Sequence, residues 1–203
     1  MRKHYRDPSW TRTVHVAKEA IIRIVAWDLE TTNLSGLMGR ILCGSFYKIV
    51  DGHASKPYTL RLDEKRYSGR SRIDDNKLAV AIRDELEKYN MIVGWNSRLF
   101  DAAFLNARLA KAGERPLHPQ FHLDLMYYAG GCSMRIGSKK LLNVQKFFNL
   151  PDAKTEIGWD NWNLAAGGDK AALDEVVHHC EQDVKVLAQA YWKMLPAVAN
   201  LHR

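Results

Sequence analysis

The chain is expected to fold as a single α/β domain built on a mixed five-stranded sheet with helices on both faces. Three stretches near the start are rich in β-branched and aromatic residues and are joined by very little chain, so they must pair antiparallel. Beyond them, segments of helical periodicity alternate with short apolar runs, which is the pattern of β-α-β units laid onto the same sheet. At 203 residues the chain is long enough for one substantial core.

The elements follow in order. "AIIRIVAWDLE" (20–30) reads as a central strand, "RILCGSFYKIV" (40–50) as a second and "KPYTLRL" (56–62) as a third, with the turn-like "DGHAS" between the last two. "DDNKLAVAIRDELEKY" (74–89) repeats apolar residues at helical spacing through Leu78, Ile82, Leu86 and Tyr89. "NMIVGW" (90–95) is a short buried strand, and a helix over about 98–112 is expected to stop at Gly113. A last strand falls near 121–125 in "QFHLDLMYY". "SKKLLNVQKFFNLP" is an amphipathic helix with Ser138 as its N-cap and Pro151 just past its end, and a long helix over about 169–195 closes the domain. Residues 1–20, basic and carrying Tyr5 and Trp10, read as an extension ahead of a domain spanning 21–203.

Composition narrows the partners. The formal charge is +7 and the pI about 9.3, and a positive surface attracts polyanions, of which nucleic acid is the commonest in a cell. Cys43, Cys132 and Cys180 are scattered and odd in number, which argues against a disulfide framework and fits the reducing cytoplasm of a cell or of a phage host. No apolar run approaches the roughly 20 residues that cross a bilayer, and the first residues lack the apolar core of a secretory signal.

Four acids stand in unexpected places. Asp28 and Glu30 end the first strand, one residue apart and therefore on one side of it. Asp101 lies among Phe100, Phe104 and Leu105, and Asp183 among Val184, Val186 and Leu187. A buried lone carboxylate costs several kcal/mol or takes up a proton, and no Lys or Arg is spaced to neutralise all four. Divalent cations would do so, and hard oxygen ligands suit Mg²⁺ or Mn²⁺. Taken singly, each acid has a plainer explanation: a turn cap, a first-turn helix acid, a surface partner of Lys185 or Arg203.

"DLET" (28–31), "NSRLFD" (96–101) and "HHCEQD" (178–183) resemble, in order and spacing, the three motifs of the DnaQ-like (DEDD) 3′–5′ exonucleases of the RNase H-like superfamily. "HLDL" followed by "LLNVQKFFNL" looks most like the YprB-type and phage-type branches. The resemblance covers the chain from about residue 22 onward and implies an RNase H-like sheet. Asp28, Glu30, Asp101 and Asp183 would hold two divalent ions that activate a water and stabilise the leaving oxygen. Leu29, Thr31 and Asn96 match the positions that hold the terminal nucleotide. The implied activity is hydrolysis of phosphodiester bonds at the 3′ end of single-stranded or frayed nucleic acid, DNA or RNA. The alternatives are a non-catalytic nucleic-acid-binding module on the same fold and a structure-specific endonuclease.

One branch of that family places a His five residues before the last Asp, the other a Tyr four before it, so His178 and His179 both compete for the role of general base. On a helix, four residues overshoot one revolution by about 40°, which sets His179 on the face of Asp183, whereas His178 falls roughly 140° away. His179 is therefore favoured, and an imidazole is suited to taking a proton near neutral pH.

Other candidates carry less. His118 and His122, together with His178, His179 and Cys180, are zinc-type donors, but the first pair flanks Pro119 and its rings need not share a face, so a zinc site is not expected. Asp124 is expected to be structural, and Trp10, Trp159 and Trp162 to serve packing before base stacking. "RLDEKRYSGRSR" (61–72) reads as a solvated, mobile loop and as the best candidate for contacting phosphates.

Overall fold

The structure is a computed structural model, and it describes residues 22–51, 53, 55–67, 71, 74–131, 134–152 and 155–198. The basic extension, Trp10, Cys132, Arg203 and much of the arginine-rich segment after Tyr67 lie outside the described residues.

Five strands, β1 (Ile24–Thr31), β2 (Ile41–Ile49), β3 (Tyr58–Arg61), β4 (Met91–Gly94) and β5 (Phe121–Asp124), form one sheet in the order β3-β2-β1-β4-β5. β1 pairs antiparallel with β2, and β2 with β3, while β4 lies parallel to β1 and β5 parallel to β4. This is the mixed sheet expected from the short links among the first three strands. Along β1, Val25, Trp27 and Leu29 enter one core with α1 (Asn76–Leu86) and α2 (Asp101–Lys111). Ala26 faces the opposite core, made with α3 (Leu125–Ala129), α4 (Leu141–Phe148) and α6 (Lys170–Val198). Period-two alternation therefore turns Asp28 and Glu30 toward α6.

α6 begins where Asp169 accepts from Ala172 N–H through its side chain (2.8 Å) and from Leu173 N–H through its carbonyl (3.1 Å). Its buried stripe, from Ala172 to Met194, runs across the sheet. α2 stops as expected: Gly113 takes φ 75°, and Glu114 N–H returns to the Leu109 carbonyl.

Several expectations need correction. α4 starts at Leu141, and Ser138 instead accepts from Lys140 N–H (3.2 Å) and Asn143 Nδ2 (2.8 Å) ahead of it. A helix not anticipated, α5 (Trp159–Gly167), packs against α6 through Ala165 and Trp162. Trp159 does not pack, being 84% exposed. The described part of 61–72 is ordered by ion pairs: Arg61 is the last residue of β3 and binds Asp63 (2.6 Å) and Asp174 (2.5 Å), Arg66 binds Glu64, and Tyr67 is buried. Among the described residues of this segment, the guanidinium groups of Arg61 and Arg66 are committed to carboxylates, while Arg70 and Arg72 lie outside the described residues.

Candidate active site

β1 and β4 pair only as far as Ala26 and Val93. Beyond that register β1 runs on without β4, which leaves a crevice at the carboxyl ends of parallel strands, where α/β sheets place ligands. Asp101, the first residue of α2, reaches into it: its Oδ1 accepts from Leu29 N–H at 3.0 Å. Asp101 is buried, and burial pushes its carboxyl up to about 7. The Leu29 N–H works against that rise, and the nearby Asp124 adds to it.

Asp124 keeps its structural role. Buried at the end of β5, it accepts from Asn96 N–H (2.9 Å), Arg98 N–H (3.1 Å) and Met126 N–H (3.2 Å). The β4–α2 turn is thereby fixed with Asn96 in the left-handed region, φ 58°, a conformation asparagine tolerates better than most residues. Ser97, fully buried in the same turn, bonds His122 Nε2 at 2.7 Å. His118 instead lies 3.6 Å from Glu87, so the two histidines point to different partners and form no zinc pair.

α6 supplies the opposite wall. His179 Nε2 lies 3.7 Å from Glu30 Oε1 and 4.0 Å from Asp183 Oδ2, and its Nδ1 is 2.8 Å from Thr155 Oγ1. The imidazole thus sits between two of the four acids, on the helical face that the four-residue spacing predicts. His178 is exposed and lines a separate surface pocket with Thr155, Glu156 and Glu175.

Among the described residues, the metal-type donors whose ligand atoms all fall within 4.8 Å of one another are Asp28, Glu30 and Cys180. Cys180 is fully buried against Cys43, and burial holds its thiol well above the usual range, with Cys43, Asp28 and Glu30 pushing the same way. It stays protonated and donates toward Asp28, to the carbonyl at 3.5 Å and to Oδ2 at 3.6 Å. The anionic donors are therefore carboxylates, a set that fits hard divalent cations. Asp183 is buried and Asp101 flanks the group from the crevice.

The three positions expected to hold a nucleotide differ in kind. The Leu29 side chain is buried in the core and its N–H is taken by Asp101. Thr31 follows an irregularity in the β1–β2 register after Glu30, and its hydroxyl donates to the Asn33 carbonyl at 2.9 Å. Asn96 borders an open groove beside the crevice. Thr155 at the site escaped the sequence reading, and Cys180 entered it only as a zinc-type donor. Thr155 carries no local signal, since its partner lies 24 positions away. Cys180 sits inside "HHCEQD", but its contact with Asp28 is a property of how α6 crosses β1.

A five-stranded mixed sheet with flanking helices and acids gathered at the end of its first strand defines the class, the RNase H-like fold. Residues 25–195 match the family described as the RNase_H superfamily, and the chain belongs to it. Among solved structures, the family B DNA polymerase from the hyperthermophilic archaeon Pyrobaculum calidifontis is similar, with a TM-score of 0.65 and 19% identity over 86% of this chain. At that identity the likeness is one of fold, and the match takes in 25% of the polymerase chain. No curated protein matches the sequence. Among the described residues, no helix is long and apolar enough to cross a membrane.

Proposed function

We propose that the protein is a divalent-cation-dependent nuclease that removes nucleotides from the 3′ end of single-stranded or frayed nucleic acid. The observation that carries this reading is His179 poised between Glu30 and Asp183, with Asp28 beside Glu30 and Asp101 in the adjoining crevice. A site for binding a polyanion gains nothing from clustered acids, whereas a site for cleaving one gains if cations occupy them. Asp28, Glu30, Asp101 and Asp183 would hold two Mg²⁺ or Mn²⁺ ions, which supply the positive charge that offsets the phosphodiester and the leaving oxygen.

The chain's own groups account for the rest. With Nδ1 protonated and donating to Thr155 Oγ1, the lone pair of His179 Nε2 faces the acids and can take the proton of an attacking water. Asp124 fixes the turn that presents Asn96, and Thr31 sits directly after Glu30. Both would hold a strand terminus, a role supported by the fixed turn and by the position next to Glu30.

The test is a 5′-labelled single strand incubated with Mg²⁺ or Mn²⁺. Progressive shortening with release of mononucleotides is expected, lost in EDTA and in Asp28→Ala, with a circular single strand left intact. Cleavage of the circle would make the enzyme an endonuclease. A strand that is bound yet never shortened would leave only a binding module.

A further inference from the structure

Beside the crevice lies a groove of about 530 Å³, opening between the β4–α2 turn and the segment that follows β5. We propose that Asn96, Arg98, Leu99, Tyr127, Gly130 and Lys139 form a subsite for the nucleotides that adjoin the terminal one, stacking a base and pairing with its phosphate. The placement of the strand end rests on the nuclease reading above. The affinity of the groove for single strands does not.

Position comes first. Arg98 and Leu99 belong to the turn that ends at Asp101, so the groove adjoins the acid that bonds Leu29 N–H. Chemistry comes second. Leu99 and Tyr127 are 80% and 64% exposed, an unusual display for two apolar side chains lining one depression. Flanking them are Arg98 and Lys139, both exposed, with no ion-pair partner among the described residues. Elsewhere Arg61, Arg66, Arg83, Arg108 and Arg115 are each held by a carboxylate. The acid in the groove, Asp124, has its charge met by three backbone N–H groups. A flat apolar surface beside unspent cations is complementary to a single strand, whose bases are flat and whose phosphates are anionic.

The walls are also fixed in place. Trp95 Nε1 donates to the Lys139 carbonyl at 2.9 Å, and the Lys139 stem passes over Gly130, where an added Cβ would lie 3.6 Å from Cε.

The test is fluorescence anisotropy with labelled oligothymidylates of two and five residues in EDTA, where neither cation uptake nor hydrolysis contributes. The unmodified protein is expected to bind the longer strand about tenfold more tightly. Tyr127→Ala and Lys139→Gln lose that difference at unchanged melting temperature, Tyr127→Phe keeps it, and Lys139→Gln lowers the salt dependence by about 0.7 in log–log slope. Lys111→Gln, at the far end of α2, serves as the charge control and keeps it. Equal affinity for both lengths, or a Lys111→Gln defect as large as that of Lys139→Gln, overturns the subsite even if hydrolysis is observed. Length-dependent binding lost in the variants of a protein that hydrolyses nothing would uphold the groove and remove the nuclease.

Discussion

His178 and His179 are neighbours in sequence with opposite surroundings. His179 Nε2 lies within 4.0 Å of both Glu30 and Asp183, while His178 faces solvent. His179→Ala is accordingly expected to lower the rate of strand hydrolysis by about 10²–10⁴, the range for losing a general base, and His178→Ala to leave it within about twofold. A single-turnover assay separates them, and equal losses would undo the assignment. Thr155→Val removes only the partner of Nδ1, so a smaller loss is expected, about tenfold, from an imidazole that is still present but no longer held in one tautomer. The helical spacing of His179 and Asp183 was legible because it is local. Thr155, 24 residues upstream, was not, since that contact depends on how the chain after α4 folds back onto α6.

The same division holds for the elements. Strands β1 to β5 and helices α1, α2 and α6 were legible because their apolar residues repeat with period two or 3.6. α5 was not: "WDNWNLAAGG" contains two Asn, an Asp and two Gly, all poor helix formers, and the segment is helical because Ala165 and Trp162 find a partner in α6. Nor was the buried pair that locks α1 to α2. Asp75 Oδ1 lies 2.5 Å from Arg108 Nη2, both side chains are excluded from water, and Asp75 Oδ2 also accepts from Ile41 N–H at 2.8 Å. Arg108→Ala leaves that carboxylate buried and uncompensated, so a loss of about 3–5 kcal/mol in urea unfolding is expected. A loss below about 1 kcal/mol would mean that water reaches the pair. Gly94→Ala is a second test of packing: its Cβ would collide with Ser97 Oγ, so the turn presenting Asn96 must shift. A loss of roughly 1–3 kcal/mol is expected, together with weaker binding of strands.

At the scale of the molecule, two buried groups tilt stability with pH in opposite senses. Burial lowers His122 to about 4, with Asp124 opposing that shift and Arg98 adding to it. Between about pH 6.5 and 4 the unfolded chain binds more protons at this residue than the folded one, so stability from His122 is lost as pH falls. Asp101 is raised to about 7, so the folded state holds the extra proton and stability is lost as pH rises from about 4 to 7. Thermal melts of Asp101→Asn should therefore rise more steeply over this window than those of the unmodified protein, and His122→Gln should rise less or fall. Parallel curves would show that neither group titrates as described. Mn²⁺ that displaces the Asp101 proton should raise the melting temperature most above pH 7, by an amount set by its concentration relative to Kd.

The acids are also ordered in time. Asp28 and Glu30 leave the ribosome early, Asp101 midway, and His179 and Asp183 last, on the helix that must dock across a finished sheet. A nascent chain emerges beside messenger RNA, the kind of polymer its mature form is proposed to degrade. Until α6 is released from the exit tunnel, Asp28 and Glu30 lack His179 and Asp183 beside them, and on the proposed reading the nascent chain would be unable to cut.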